Sequence, residues 1–410
     1  MVAMLAGAMI AVAPRLISRS VGRSSSVTPD GSLSLGSERS QDVVVRPTSN
    51  EALAQRIQDM EARLRTHPAD AAAAVLMADA LLRLGRATAD GRPANRAATV
   101  LRSALKEMPG YYDALRMLGA IYLSQHRFRE ALEVARRARD QQPDDAWNYG
   151  VIGDALIELG EYDQAFATFD TMVAMRPSAT AYARVAYARE LRGDLDGAVD
   201  AMHLAEQATA AEDSEARAWY AAQLGELYIR KGRLADAERE YRRSLFLYSD
   251  YPHAMVGAGM VKAARGDRQG ALAIYLEQLK RTPTLDLAGR IGDLYAQQGA
   301  STESERYYTL AEELAGPDMT QTEANLAVFL ADHDRRLSDA VKIAERVAAG
   351  RRDIFTEDAL ACTYYKVGRL RDAMQASERA LRTGTRDVRI LSHAAAIRAA
   401  IVAHKSTLRH

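Results

Sequence analysis

Two consecutive stretches decide the fold. Pro109 to Asp140 reads PGYYDALRMLGAIYLSQHRFREALEVARRARD, and Pro143 to Met175 reads PDDAWNYGVIGDALIELGEYDQAFATFDTMVAM. Aligned on their prolines, a small residue falls ten positions on, at Gly119 and Gly153, and an alanine falls 22 on, at Ala131 and Ala165. Pro109, Pro143 and Pro177 are 34 residues apart. A fixed period of this size signals a repeat array.

The phase holds along the chain. The alanine recurs at Ala97, Ala131, Ala165, Ala198, Ala237 and Ala271, is replaced by Ser304, and returns at Ala340 and Ala373. The small residue runs Ala78, Gly119, Gly153, Ala186, Gly225, Gly259, Gly292, Ala327 and Ala361. This makes nine units in register. Each reads as two helices. Leu115, Leu118, Ile121 and Tyr122 fall three and four apart, the spacing of one helical face. A turn follows, usually with glycine (Gly160, Gly193, Gly232, Gly266, Gly299, Gly368), which suits the left-handed conformation that ends a helix. Gly or Ala in the first helix is expected where the paired helices cross, since a larger side chain would push the backbones apart.

On these residues the chain resembles the tetratricopeptide repeat. The family's Leu-Gly-x-x-Tyr core appears as Leu118-Gly119-Ala120-Ile121-Tyr122, as Leu224-Gly225-Glu226-Leu227-Tyr228 and as Ile291-Gly292-Asp293-Leu294-Tyr295. The aromatic of the second helix appears as Phe169, Tyr241, Tyr275 and Tyr308. The resemblance implies an all-α, right-handed α-solenoid of helix–turn–helix repeats, nine pairs plus terminal helices, about 20 helices in all. It carries no catalytic residues with it. Departures are about seven extra residues near Ala87–Ala94, about five near Ala210–Glu215, and Arg189 and Lys262 where other units have an aromatic.

The expected organisation is an apolar signal peptide or short anchor over 1–17, a serine-rich linker over 18–48, a capping helix over 49–67, the repeat solenoid over 68–384, and a half-repeat and tail over 385–410. Val2–Ala13 is an unbroken apolar run, too short to span a bilayer as one helix but long enough for a signal-peptide core. No Lys or Arg precedes Arg15. Export to the periplasm or exterior is the leading expectation. A short anchor, a start upstream of Met1 and a cytoplasmic location stay open.

Composition narrows the function. Lys+Arg and Asp+Glu are 54 each, so the formal net charge is zero, against the basic balance expected of a nucleic-acid binder. A single cysteine, Cys362, leaves no disulfide and no Cys/His metal set, and it reads as a small buried hydrophobe. No phosphate loop, dinucleotide fingerprint, HExxH or GxSxG is present. No catalytic, cofactor or metal residues are expected.

What remains is the face of the first helices, which the resemblance places on the inner groove. Arg116, Trp147, Asp154, Glu158, Tyr187, Trp219, Glu226, Arg230, Met260 and Asp293 are the candidate protein-binding residues. Aromatic anchors and Met are common at hot spots, and on this face acids outnumber bases. The expected function is a non-enzymatic scaffold whose groove takes a protein segment with basic and apolar side chains. An accessory or assembly factor of a bacterial cell-envelope or secretion complex is the alternative, and an enzyme with an unrecognised site the remote one.

Overall fold

The computed structural model describes residues 50–88, 92–315 and 320–407, so the segments expected over 1–17 and 18–48 lie outside the described residues. Twenty helices and no strand occur among the described residues. Helix α1 (Asn50–Thr66) comes before the repeats. In chain order follow α2 (Ala71–Thr88) and α3 (Arg92–Glu107), α4 (Tyr112–Ser124) and α5 (Phe128–Gln141), and α6 (Ala146–Leu159) and α7 (Tyr162–Met175). Next come α8 (Ala179–Leu191) with α9 (Leu195–Gln207), α10 (Ser214–Arg230) with α11 (Leu234–Leu247), and α12 (Pro252–Ala264) with α13 (Arg268–Arg281). The last are α14 (Leu285–Gln297) with α15 (Ser301–Leu314), α16 (Thr320–Asp332) with α17 (Leu337–Gly350), and α18 (Ile354–Lys366) with α19 (Leu370–Ala380), followed by the unpaired α20 (Val388–Thr407). The number of helices among the described residues is the twenty expected.

Local chemistry starts and stops these helices. Asp145, Ser178, Asp194, Asp213, Asp267, Thr284 and Asp353 accept from backbone N–H groups of the first turn, the usual N-cap. The turn glycines between paired helices have φ of 70 to 85°, and His126 takes the same left-handed position before α5.

The periodic small residue has a more specific cause than helix crossing. A Cβ on Gly225 would stand 2.6 Å from Cε1 of Tyr241, and one on Gly292 would stand 2.5 Å from the Tyr308 ring. Gly153 and Gly259 are covered more closely still, by Phe169 and Tyr275. In these four repeats the aromatic of the second helix therefore packs directly on the bare backbone of its own first helix. The two halves of the sequence signature are one contact. Arg189 and Lys262, which replace aromatics elsewhere, are used locally: Arg189 donates to the Gly197 carbonyl (2.8 Å) and Lys262 pairs with Asp267 (2.8 Å).

The described residues form two compact units. One comprises α1 to α4 with 140–142, and the other runs from 126 to 139 and from 143 onward. In the first, Leu64, Ala71, Ala74, Val100, Ala104 and Tyr111 make a small core, and Leu53 and Ile57 of α1 are buried.

The second unit departs from a quasi-one-dimensional array, in which each repeat touches only its neighbours. Its last pair returns to its early repeats. The Arg352 N–H donates to the Glu158 carbonyl (3.0 Å) and the Ile354 N–H donates to the Tyr162 hydroxyl (2.7 Å). Arg382 donates to the Gly160 carbonyl (3.1 Å), and Arg230 pairs with Asp387 (3.0 Å). The partners are 157 to 222 residues apart in sequence. Small rotations accumulated over the intervening repeats bring the two ends together.

The C-terminal helix is tied in by His393, which reaches Asp358 on α18 (2.9 Å) and Asp332 on α16 (3.0 Å). Burial alone would push its imidazole down. The hydrogen bonds to Asp332 and Asp358, and the charges of both, overcome this and hold it up at about 9. Cys362 is buried beside Ala359 and Leu360, and burial pushes its thiol well up.

Two outcomes are expected. Gly266 and Gly160 share the left-handed turn conformation, but a Cβ on Gly266 meets nothing, whereas on Gly160 it would stand 2.5 Å from the Arg352 carbonyl oxygen. Gly266→Ala should cost about 1–2 kcal/mol in chemical denaturation, and Gly160→Ala clearly more. Because the folded-state value of His393 is raised, its stabilising contribution is present in full below about pH 6.5, the unfolded value, and is lost as pH rises through about 9. Melting curves between pH 6 and 10 should show this loss in the native protein and not in His393→Gln.

Candidate protein-interaction face

The first helices carry the residues singled out by the sequence, and the structure treats them differently along the chain. Asp154 and Glu158 lie four apart on α6 and so share one helical face. Asp154 receives both arms of Arg184 from α8, Nε to Oδ1 at 2.9 Å and Nη2 to Oδ2 at 2.7 Å, and the third nitrogen, Nη1, donates to the Thr180 carbonyl (3.1 Å). Both side chains are fully buried. Gly150, one turn before, supplies the space: a Cβ there would stand 3.1 Å from Arg184 Cζ. Burial raises the Asp154 carboxyl above its usual range even though the Arg184 charge opposes the shift. Desolvation therefore outweighs attraction, as in many buried pairs.

Glu158 lies 2.7 Å from Arg351, and both are buried. Burial pushes Glu158 up to about 7, with Arg351 opposing and Asp353 reinforcing. Arg351 itself stays charged, because Asp353 and Glu158 together overcome its desolvation. Glu190 on α8 pairs with Arg230 on α10 (3.1 Å), which also holds Asp387. Tyr187 is buried, and its hydroxyl is pushed up by burial and by the Glu158 charge. The acids that the sequence counted on α6, and Glu190 on α8, are thus paired from within.

Farther along, the same face opens. Glu226 on α10 meets His253 of α12 at 2.9 Å. Asp293 on α14 accepts from the Tyr308 hydroxyl (2.9 Å) and from His333 Nε2 (2.8 Å), while His333 Nδ1 donates to the Phe329 carbonyl (2.7 Å). Burial opposes the charge on His333, but its bonds to Asp293 and Phe329 win and raise it. Met260 is half-buried against the cluster of Tyr275 and Leu287. The Glu226 side chain is 27% exposed and that of Asp293 47%, against 3% for Asp154 and 4% for Glu158.

The remaining candidates are placed as follows. Arg116 and Trp147 are half-buried on α4 and α6. Trp219 is buried edge-on to Tyr220, ring centroids 5.0 Å apart, and its indole N–H finds no acceptor among the described residues. The counter-charges Arg184, His253, His333, Arg351 and Asp387 went unrecognised in the sequence. Arg184 was within reach, since the repeat phase puts it on the inner face of the next first helix. Arg351 and Asp387 lie between helices, where no periodicity marks them. Among the described residues no group of three His, Cys, Asp or Glu converges as a metal site, and no helix is long and apolar enough to cross a membrane.

Tetratricopeptide-repeat models match residues 90–149, 122–188 and 222–286. A search of curated protein sequences returned no match. Among solved structures, human IFIT1 dimer with m7Gppp-AAAA is similar with a TM-score of 0.53 at 15% identity, over 82% of this chain and 78% of that one. Human IFIT1 dimer with PPP-AAAA gives 0.51 at 16% identity, over 77% and 73%. A chain of the APC/C hetero-tetramer Cut9–Hcn1 gives 0.45 at 15% identity over 86% of this chain, which spans 60% of the length of that one. At these identities the IFIT1 likenesses show a shared fold. The protein is a tetratricopeptide-repeat protein, an all-α solenoid of a kind that generally serves protein–protein interaction.

The buried pair makes a sharp prediction. Arg184→Met alone strands Asp154 and should cost about 3–5 kcal/mol, whereas Asp154→Leu with Arg184→Met should recover most of that loss. Urea denaturation of the two variants measures the difference.

Proposed function

We propose that this protein is a non-enzymatic interaction scaffold and that its binding face is the open stretch of first helices from α10 to α14. The supporting observation is the change of exposure along one face. Glu158 and its neighbours are closed over by the last repeat, while Glu226, Met260 and Asp293 are not. These three occupy the same position in successive repeats, each directly after the small residue Gly225, Gly259 or Gly292. They form a row of acid, thioether and acid at repeat spacing. Burial opposes the charge on Glu226, but its hydrogen bond to His253 wins and holds the carboxyl below its usual range, so it is negative at neutral pH. A partner segment that presents basic, apolar and basic side chains in sequence would match the row. Contacts repeated across three helices add up, so no single strong pocket is required.

The test is reversal of the row. Glu226→Lys, Met260→Glu and Asp293→Lys together should reduce partner recovery at least tenfold in quantitative affinity purification from native extract. Asp200→Arg, on an exposed position of α9, should leave recovery unchanged. Equal recovery by the reversed variant, with an unchanged melting temperature, would remove this face from the function.

A further inference from the structure

The seam of the second unit has the form of a bound peptide. The segment from Arg351 to Asp353, which leads into α18 at Ile354, is extended, with φ, ψ of −142°, 135° at Arg351 and −67°, 165° at Asp353. It lies across the end of α6 and the start of α7, more than 190 residues away in sequence. One side chain and two backbone groups dock there: the Arg351 guanidinium on Glu158 (2.7 Å), the Arg352 N–H on the Glu158 carbonyl (3.0 Å) and the Ile354 N–H on the Tyr162 hydroxyl (2.7 Å). Arg382 clasps the segment from outside. It donates to the Arg352 carbonyl (2.7 Å) and the Gly160 carbonyl (3.1 Å), with its guanidinium 5.0 Å above the Tyr162 ring.

Three features separate this contact from ordinary repeat packing. The receptor residues flank the turn between α6 and α7, with Glu158 in the last turn of α6, Gly160 in the turn and Tyr162 at the start of α7, and main-chain bonds like these are how extended peptides are held elsewhere. The Arg382–Arg352 bond lies within the last repeat, but the bonds that cross the seam belong neither to a helix nor to a neighbouring-repeat interface, so parting it breaks no helical hydrogen bond. The turn is also shaped for the visitor, because a Cβ on Gly160 would stand 2.5 Å from the Arg352 oxygen, whereas nothing approaches the matching Gly232, Gly266 or Gly299.

We infer that the turn between α6 and α7 is a docking site for an extended segment bearing an arginine, and that the chain's own Arg351–Ile354 fills it in cis. The site lies at the edge of the inner face, so the inference deepens the scaffold reading by adding a regulated segment to it. With the site filled, Glu158 and Tyr187 are covered and only the α10–α14 row is open. A competing arginine-bearing segment displaces the internal one and uncovers the α6–α8 part of the face. Because the internal segment is tethered, it has the advantage of effective concentration, and a free peptide binds the native protein poorly.

The probe is a labelled peptide copying residues 349–357. Two opening variants of the full chain are used: Arg351→Gln with Asp353→Asn and Arg382→Ala, and Arg382→Ala alone, which removes only an exposed side chain and so keeps the fold. Spin labels on cysteines introduced at the exposed positions Asp170 and Ser392 report opening, and Cys362 stays unlabelled because it is buried. The expected result is a longer, broader spin–spin distance in the opened protein, with peptide binding at least tenfold tighter than to the native chain. Adding Glu158→Gln and Tyr162→Phe should abolish that binding. A seam that stays closed in both variants, or one that opens without binding the peptide, overturns the inference. Either result leaves the partner-recovery test of the α10–α14 row standing, so the two failures are distinguishable.

Discussion

An aromatic ring laid on bare backbone is the contact from which the rest of this structure follows. Phe169, Tyr241, Tyr275 and Tyr308 each lie on a glycine of the preceding first helix, at a distance that admits no Cβ. Close-packed interiors leave little freedom at such a contact, so it sets how near the paired helices come and how they are turned. Tyr241 shows how one pair sets the next: Gly257, on the first helix of the following repeat, also packs against the same ring. Identical joints in succession give a regular rotation, and the rotation gives a curve.

The consequence of that curve is the seam. A solenoid stabilised only by neighbours can open at any joint at the cost of one interface. In the second unit the contacts of Glu158, Tyr162 and Arg230 with residues beyond 350 tie distant repeats together. Opening there involves many joints at once, each by a small amount. The seam is mostly polar, built from Glu158, Arg351, Asp353, Arg230 and Asp387, and such contacts specify where the ends meet better than they stabilise the meeting. The Asp154–Arg184 pair makes the same point inside the unit, with burial opposing the very charges it contains.

The inner face was legible in part. The repeat phase places Glu226, Met260 and Asp293 in one row, and the structure keeps them accessible. It also places Asp154, Glu158 and Glu190 on that face, but there the apparent excess of acid disappears. A sequence lists charges in order along the chain and is silent on which ones meet. Arg184 could have been paired with Asp154 by register, since both lie on first helices one repeat apart. Arg351 and Asp387 could not, because loop residues carry no period and their partners are more than 150 residues away.

Taken alone, the sequence determined what repeats: the two-helix unit, its length, the glycine turns, and the recurrence of a small residue in the first helix and an aromatic in the second. These are local properties, fixed within about 34 residues, and nine copies of the pattern average out the exceptions. The tertiary structure alone decided the division into two units, the closure of the second, and which parts of the inner face stay open. Those depend on the sum of many small rotations. A change of a few degrees per repeat leaves every motif intact and moves the last repeat by the width of a helix, so no single residue pattern encodes the place where the chain meets itself.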